Sequence, residues 1–268
     1  MAEKPVLLIA MPTMGEIATP TVKCLIGLTQ ALRRQGIAFA FETYEFSDIV
    51  FSRNQLMSIF QTRKRLTHVL MMDSDMAVDP KAIFRLLEFG VDFAATAYPQ
   101  KHPKWNRLRE LIEREAGLPE AERSSMANIL SRAWTWNHQK GSFGAKPWIP
   151  KRKNGFVTVP ATGTGLMLLS RRVPELMIEK GVVERKPRLE KLPLHKDLEY
   201  HDYFSHISTP DGMMYAEDQS FCHRWTHLCG GDIWLDTEST VNHFGNKNHV
   251  GRYADQVGED FAKFEDIE

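Results

Sequence analysis

Val69-Leu70-Met71-Met72-Asp73-Ser74-Asp75 decides how the chain folds. Four apolar residues run straight into two carboxylates one residue apart. An apolar run without alternation is the mark of a strand buried on both faces, and such strands belong to parallel sheets covered by helices. In open α/β sheets, ligands bind beyond the carboxyl ends of the strands. The pair Asp73 and Asp75 therefore stands where a ligand is expected. Two carboxylates so close repel each other unless a cation joins them. The neighbouring sequence offers no basic partner. Mg²⁺ or Mn²⁺ suits hard oxygen donors and keeps positions open for phosphate oxygens, so the pair reads either as metal ligands or as caps of the next turn, and its place after a buried strand favours the metal.

Outward from this stretch, strands and helices alternate. A strand is expected over 6–11, then a helix from Thr19-Pro20 to Gly36 with Val22, Leu25, Ile26 and Leu32 inward. A strand over 37–41, a helix over 52–66 and the strand over 69–72 follow. Asp79-Pro80 opens a third helix that Gly90 ends, and 93–97 makes a fourth strand. Later strands are expected at 165–170 and 233–235, with helices at 174–180 and 218–228. Residues 185–209 read as a histidine-bearing loop. This order predicts an α/β fold with a mainly parallel sheet flanked by helices, in one domain spanning 1–268. Residues 99–160 break the pattern and read as a basic, aromatic insertion. The segment 244–268, rich in Gly and Asn and then acidic, reads as a mobile tail.

The chain has 268 residues with 34 basic and 34 acidic side chains, for a net charge of zero. That excludes a wholly basic DNA-coating protein and an acidic disordered tail. Within residues 99–155, however, twelve Lys and Arg face five Glu, an excess of +7. Lys101, Lys104, Arg107, Arg109, Lys151, Arg152 and Lys153 contribute to it, and Trp105, Trp134, Trp136 and Trp148 lie among them. Basic residues with interleaved aromatics suit a polyanionic acceptor such as nucleic acid, and tryptophan suits a glycan equally. Three cysteines, Cys24, Cys222 and Cys229, make no disulfide framework and point to a reducing, cytoplasmic setting. His195, His201, His206, His223 and His227 cluster near Cys222 and Cys229, but no C-x₂-C pair supports zinc. No stretch is long enough for a membrane span, and the first apolar run is no signal peptide.

Further pieces follow in a fitting order: Ser52-Arg53-Asn54, Thr162-Gly163-Thr164-Gly165, Glu217-Asp218-Gln219 and His243-Phe244-Gly245. Together with the D-x-D pair they resemble the GT-A glycosyltransferases, especially bacterial and phage enzymes of the broad family-2 type. The resemblance implies transfer of a sugar from a nucleotide-diphosphate sugar, UDP-linked by default, with Mn²⁺ or Mg²⁺. It implies that Pro12 and Thr13 border the nucleotide base and that Arg53 touches the nucleotide or its diphosphate. Asp73, Asp75 and His243 would hold the metal, while Gly163, Thr164 and Gly165 line the sugar and acceptor cleft. Asp218, with Glu217 beside it, would be the catalytic base, and Lys247 would reach phosphate oxygens on closure. Inverting and retaining stereochemistry both remain open. The acceptor would be a hydroxymethylated base of phage DNA or a glycan. Two rival readings are a nucleotidyltransferase of similar fold and a non-catalytic nucleic-acid-binding module. Against the first, Pro12-Thr13-Met14-Gly15-Glu16 lacks the basic residues of a phosphate loop.

Overall fold

The computed structural model describes residues 4–139, 148–187, 198–209, 212–245, 248–261 and 264–267. The chain opens with β1 (Val6–Thr13), α1 (Thr19–Arg34), β2 (Ala38–Glu45), α2 (Ile49–Thr62) and β3 (His68–Met72). It continues with β4 (Met76–Val78), α3 (Pro80–Phe89), β5 (Phe93–Thr96), β6 (Pro99–Pro103), α4 (Trp105–Ala116) and α5 (Met126–Ala133). Next come β7 (Trp134–Trp136), β8 (His138–Gln139), β9 (Lys151–Lys153), β10 (Phe156–Val159), β11 (Ala161–Thr162), β12 (Leu166–Ser170) and α6 (Arg172–Glu179). The last part holds β13 (Ile207–Ser208), β14 (Met214–Tyr215), α7 (Glu217–His223), β15 (Ile233–Asp236), β16 (Thr240–Phe244), β17 (Asn248–Arg252), α8 (Ala254–Asp260) and β18 (Glu265–Asp266).

Nine strands form the central sheet in the order β18-β9-β10-β15-β5-β12-β3-β1-β2. Their pairings make β12 and β10 run against the other strands, so the sheet is mainly parallel in direction. Helices cover both faces, the α/β architecture expected from the sequence. Along β1, Leu8 and Ala10 enter one core while Leu7, Ile9 and Met11 enter the other. That split is why the strand reads as a continuous apolar run. Each such fully buried Leu, Ile or Met contributes about 1.5–3 kcal/mol by area removed from water.

The local signals act as their chemistry requires. Asp79 caps α3 by accepting from the Lys81 amide at 2.8 Å, Pro80 sits in its first turn, and Gly90 ends it at φ 70°. Helix α2 starts three residues before Ser52, because Asp48 caps it through the Val50 and Phe51 amides. In α1 the N-cap is Ala18 rather than Thr19, and Val22 and Ile26 lie exposed while Leu28 and Leu32 are buried.

Two expectations meet a different structure, and the segment read as loop is held against α2. Of the 99–160 stretch, β9 and β10 belong to the central sheet, and Phe156, Val157 and Val159 are core. Trp134 and Trp136 are buried too, the latter tilted on Tyr253 at 5.1 Å, so neither stands ready to stack on a ligand. The described part of the 244–268 tail is packed. β17 pairs with β16, Tyr253 is fully buried against Trp136 and His138, and Phe261 joins the main core. Residues 198–209, read as loop, lie across α2. Phe204 stacks on Phe221 at 4.5 Å, Asn54 binds both the Asp202 carboxylate and the Phe204 amide at 2.8 Å, and Ser58 accepts from the His201 amide. This strap covers Asn54 and Ser58, two of the buried polar residues of α2.

Candidate active site

Strand β1 pairs in parallel with β2 on one side and β3 on the other, so the chain leaves β1 in opposite directions. A crevice opens where strand order reverses, beyond the strands' carboxyl ends. Thr13 and Asp73 are the residues that stand there. The Asp73-Ser74-Asp75 turn is pinned from three sides. The Asp73 amide donates to the Gly165 carbonyl at 2.9 Å, the Ala18 amide to the Ser74 carbonyl at 2.9 Å, and the Phe244 amide to the Asp75 carbonyl at 2.8 Å. After the turn, β4 leaves the central sheet and pairs with β16, which registers His243 opposite Met76. A cleft of about 440 Å³ opens on the turn, lined by Pro12, Thr13, Phe46, Ile49, Asp73 and Asp75. The structure thus brings Pro12 and Thr13 to the two aspartates.

Neither aspartate lacks a basic partner, contrary to the local sequence. Arg53 comes from α2 and is 4% exposed. Its Nη2 lies 2.9 and 3.2 Å from the two Asp73 carboxylate oxygens, and its Nη1 lies 2.6 Å from Glu217. The guanidinium is therefore spent on protein carboxylates, which argues against its direct reach to a diphosphate. Burial disfavours its charge, but Asp73 and Glu217 outweigh that and hold its pKa above the usual value. Its Nε meets no acceptor among the described residues. Glu217 opens α7, so this relay ties the start of α7 to the end of β3.

Asp75 has a different pair of partners. Lys101 on β6 places its Nζ 2.5 Å from Asp75 Oδ2, and His243 Nε2 lies 3.6 Å from the same oxygen. Burial pushes the Asp75 carboxyl up, and His243 and Lys101 together bring it below its ordinary value. His243 Nδ1 lies 2.8 Å from the Pro99 carbonyl. A carbonyl only accepts, so Nδ1 carries a proton; Nε2 donates toward Asp75 when the ring is protonated and turns its lone pair there when it is neutral. Among the described residues, no group of three or more His, Cys, Asp or Glu side chains closes into a metal cage. The donors at the turn are nonetheless of the right type for Mn²⁺ or Mg²⁺, with carboxylate oxygens and one tautomer-fixed imidazole.

Asp218 follows Glu217 and is partly buried, its Oδ1 accepting from the Gln219 amide at 2.7 Å. Burial first, and the neighbouring Glu217 second, raise its pKa. Gly163, Thr164 and Gly165 lie behind the turn rather than along an open cleft, and all three are buried. A Cβ at Gly163 would stand 2.0 Å from Asn137 Nδ2 and 2.1 Å from Tyr98 Oη. One at Gly165 would stand 2.9 Å from Tyr98 Oη and 3.0 Å from Asp73 Oδ2. Close packing requires these glycines, and their lining role in the cleft is not seen. Lys247 lies outside the described residues, as do Lys140, Lys146 and His195.

The sequence gives Tyr98 no site role, and it offers Lys101 only as part of the basic acceptor stretch, not as a partner of Asp75. The Tyr98 hydroxyl accepts from Asn137 Nδ2 at 2.6 Å and from the Gly165 amide at 3.1 Å. Burial, with Asp73 second, drives its pKa far up, so it stays a neutral phenol. The sequence signal was faint, an aromatic at the end of the fourth strand. The basic stretch is also partly neutralised by acids outside it. Arg152 pairs with Asp266 at 2.7 Å and Lys151 with Asp232 at 3.2 Å. Trp105, in contrast, is 70% exposed beside Lys104. Cys24, Cys222 and Cys229 are free thiols, and no described helix is long and apolar enough to cross a membrane.

No family model and no curated protein matches the chain. Solved structures do align with it, three of them as follows. A197 from STIV shares 14% identity over 91% of this chain and 93% of its own, with a TM-score of 0.45. A glycosyltransferase involved in the glycosylation of the major capsid of PBCV-1 shares 14% identity over 66% and 65%, at 0.32. A putative glucose-1-phosphate thymidylyltransferase from Bacillus anthracis shares 12% over 65% and 75%, at 0.27. The solved structures that align thus include a glycosyltransferase and a putative nucleotidyltransferase, at similarities too low to assign an activity.

Proposed function

We propose that the chain is a glycosyltransferase that moves a sugar from a nucleotide-diphosphate sugar to a hydroxyl acceptor. One observation carries this reading. The Asp73-Ser74-Asp75 turn sits at the strand-order reversal, on a cleft of about 440 Å³, with the His243 imidazole against Asp75. Pro12, Thr13, Phe46 and Ile49 give the cleft an apolar wall that suits a flat base, and uridine is the first to test. Asp75 and His243, with Asp73, would hold Mn²⁺ or Mg²⁺. When bound, the cation neutralises charge on a leaving diphosphate.

The chain's own residues supply the rest. Arg53 fixes Asp73 and Glu217 in place. Tyr98 and the two glycines hold the turn from behind. Asp218, with its raised pKa, takes the proton of the attacking hydroxyl, and a base closer to neutrality does so more effectively. For the acceptor, exposed Trp105 with Lys104 is the surface that fits, stacking on a sugar ring or on a modified base of nucleic acid. Salt dependence separates the two, since binding to a phosphate polymer falls steeply between 50 and 200 mM salt.

The test is a thermal-shift and calorimetric screen of UDP, GDP and ADP with Mn²⁺ and with EDTA. Nucleotide at 100 times Kd should stabilise the protein by about 2.7 kcal/mol. Stabilisation is expected with Mn²⁺ and is expected to vanish in Asp75→Asn. Equal binding with EDTA and in Asp75→Asn would refute the metal-dependent reading.

A further inference from the structure

Strand β6 touches the Asp75 centre twice. Its first residue, Pro99, supplies the carbonyl that fixes the His243 tautomer, at 2.8 Å. Two residues on, Lys101 lays its ammonium on Asp75 Oδ2 at 2.5 Å. His243 Nε2 faces that same oxygen at 3.6 Å. Lys101 and His243 thus meet Asp75 at the same carboxylate oxygen, the one for which a divalent cation on Asp75 and His243 would compete. Its stem lies against Gly245, where a Cβ would come within 3.0 Å of Lys101 Cδ. Arg53 and Lys101 differ sharply in their freedom. The Arg53 side chain is 5% exposed and held by two carboxylates, so it cannot withdraw. The Lys101 side chain is 40% exposed and bound through its tip to one exposed oxygen, a pair of the weak, exchangeable kind.

We infer that Lys101 is a built-in counter-cation that keeps Asp75 and His243 together before a divalent ion arrives and is displaced by that ion. This rests on the metal-dependent reading of the site. The physical logic is competition for one oxygen. A monovalent ammonium gains one ionic hydrogen bond there, whereas a divalent ion gains both the carboxylate and the imidazole. Once displaced, the ammonium stays within a side chain's length of the cleft, free to pair with a donor phosphate. The lysine thus weakens bare metal binding, and a metal–nucleotide complex, which offers it phosphate, escapes that penalty.

Mn²⁺ binding, followed by electron paramagnetic resonance of free Mn²⁺, tests this without any turnover. The proteins are wild type, Lys101→Met, Lys104→Met and Asp75→Asn. Methionine keeps the stem on Gly245 and removes the charge. Lys104→Met removes the same charge from a neighbouring exposed position. Lys101→Met is expected to bind bare Mn²⁺ about fivefold more tightly, since the binding-competent fraction rises toward one. Lys104→Met should match wild type. With UDP present, Lys101→Met should lose its advantage. Mn²⁺ bound equally by wild type and Lys101→Met, yet lost in Asp75→Asn, would overturn the displacement role and leave the metal site standing. Mn²⁺ bound by none of them, or equally by Asp75→Asn, would sink the metal reading and the inference together. UDP binding that needs Lys101 and ignores Mn²⁺ would also overturn it, since the lysine would then replace the metal.

Discussion

Replacing Arg53 by methionine removes the cation that joins Asp73 to Glu217 while keeping an unbranched stem inside α2. The remaining carboxylates face each other, with Asp218 beside Glu217, and no counter-charge stands between them. Removing one partner of a buried ion pair costs about 3–5 kcal/mol. Here the low end applies, about 3 kcal/mol, because Asp73 and Glu217 side chains keep 26% and 21% of their exposure. At about 2–4 °C per kcal/mol for a chain of this size, Tm should fall by roughly 6–12 °C. The loss should be larger at pH 8 than at pH 5, because burial already holds the neighbouring Asp218 carboxyl above its ordinary value and its protonation at lower pH relieves part of the repulsion. The double variant Arg53→Met with Glu217→Gln should recover part of the loss, because one of the facing charges is gone. Differential scanning calorimetry of wild type, Arg53→Met and the double variant at both pH values is the assay. If Arg53→Met melts within about 1 °C of wild type at pH 8, the relay does not hold these elements together. If Glu217→Gln fails to rescue, the loss comes from packing and not from charge.

Asp218→Asn should lower kcat by about 10²–10⁴-fold with little change in donor affinity. It should leave Tm equal or higher at pH 7, because a carboxyl whose folded pKa is raised loses stability as pH rises through that pKa. In the active enzyme the acid limb of kcat/KM should lie above the usual aspartate value of about 3.9, and Glu217→Gln should move it down. Gly163→Ala should destabilise by about 1–3 kcal/mol, read as a Tm fall of several degrees, since its Cβ would enter Asn137 and Tyr98. An unchanged Tm would show that Asn137 swings away freely. Trp136→Ala should cost about 3–5 kcal/mol of stability as a core truncation. Trp105→Ala should leave Tm within 1 °C and raise the acceptor KM, and equal Tm losses in both would remove Trp105 from the acceptor surface.

What the sequence determined by itself is what local chemistry encodes. Apolar runs such as 6–11 and 69–72 reveal strands covered on both faces, because such strands leave no polar side to show. Asp79, Pro80 and Gly90 mark a helix, because caps act within three residues. The D-x-D turn at the end of β3 is legible for the same reason. What only the tertiary structure decided is which distant residues meet there. Arg53 and Glu217 are separated by 164 residues and His243 and Pro99 by 144, and no periodicity links either pair. Lys101 reads as one of twelve cations in a basic stretch until β6 is laid beside β16. Trp134 and Trp136 read as ligand platforms until β17 and the segment after it pack over them. Residues 198–209 read as loop because their partners lie on α2, far back in the chain. Burial is a property of the assembled chain, so the charge and aromatic content of a segment cannot say which side chains stay in water.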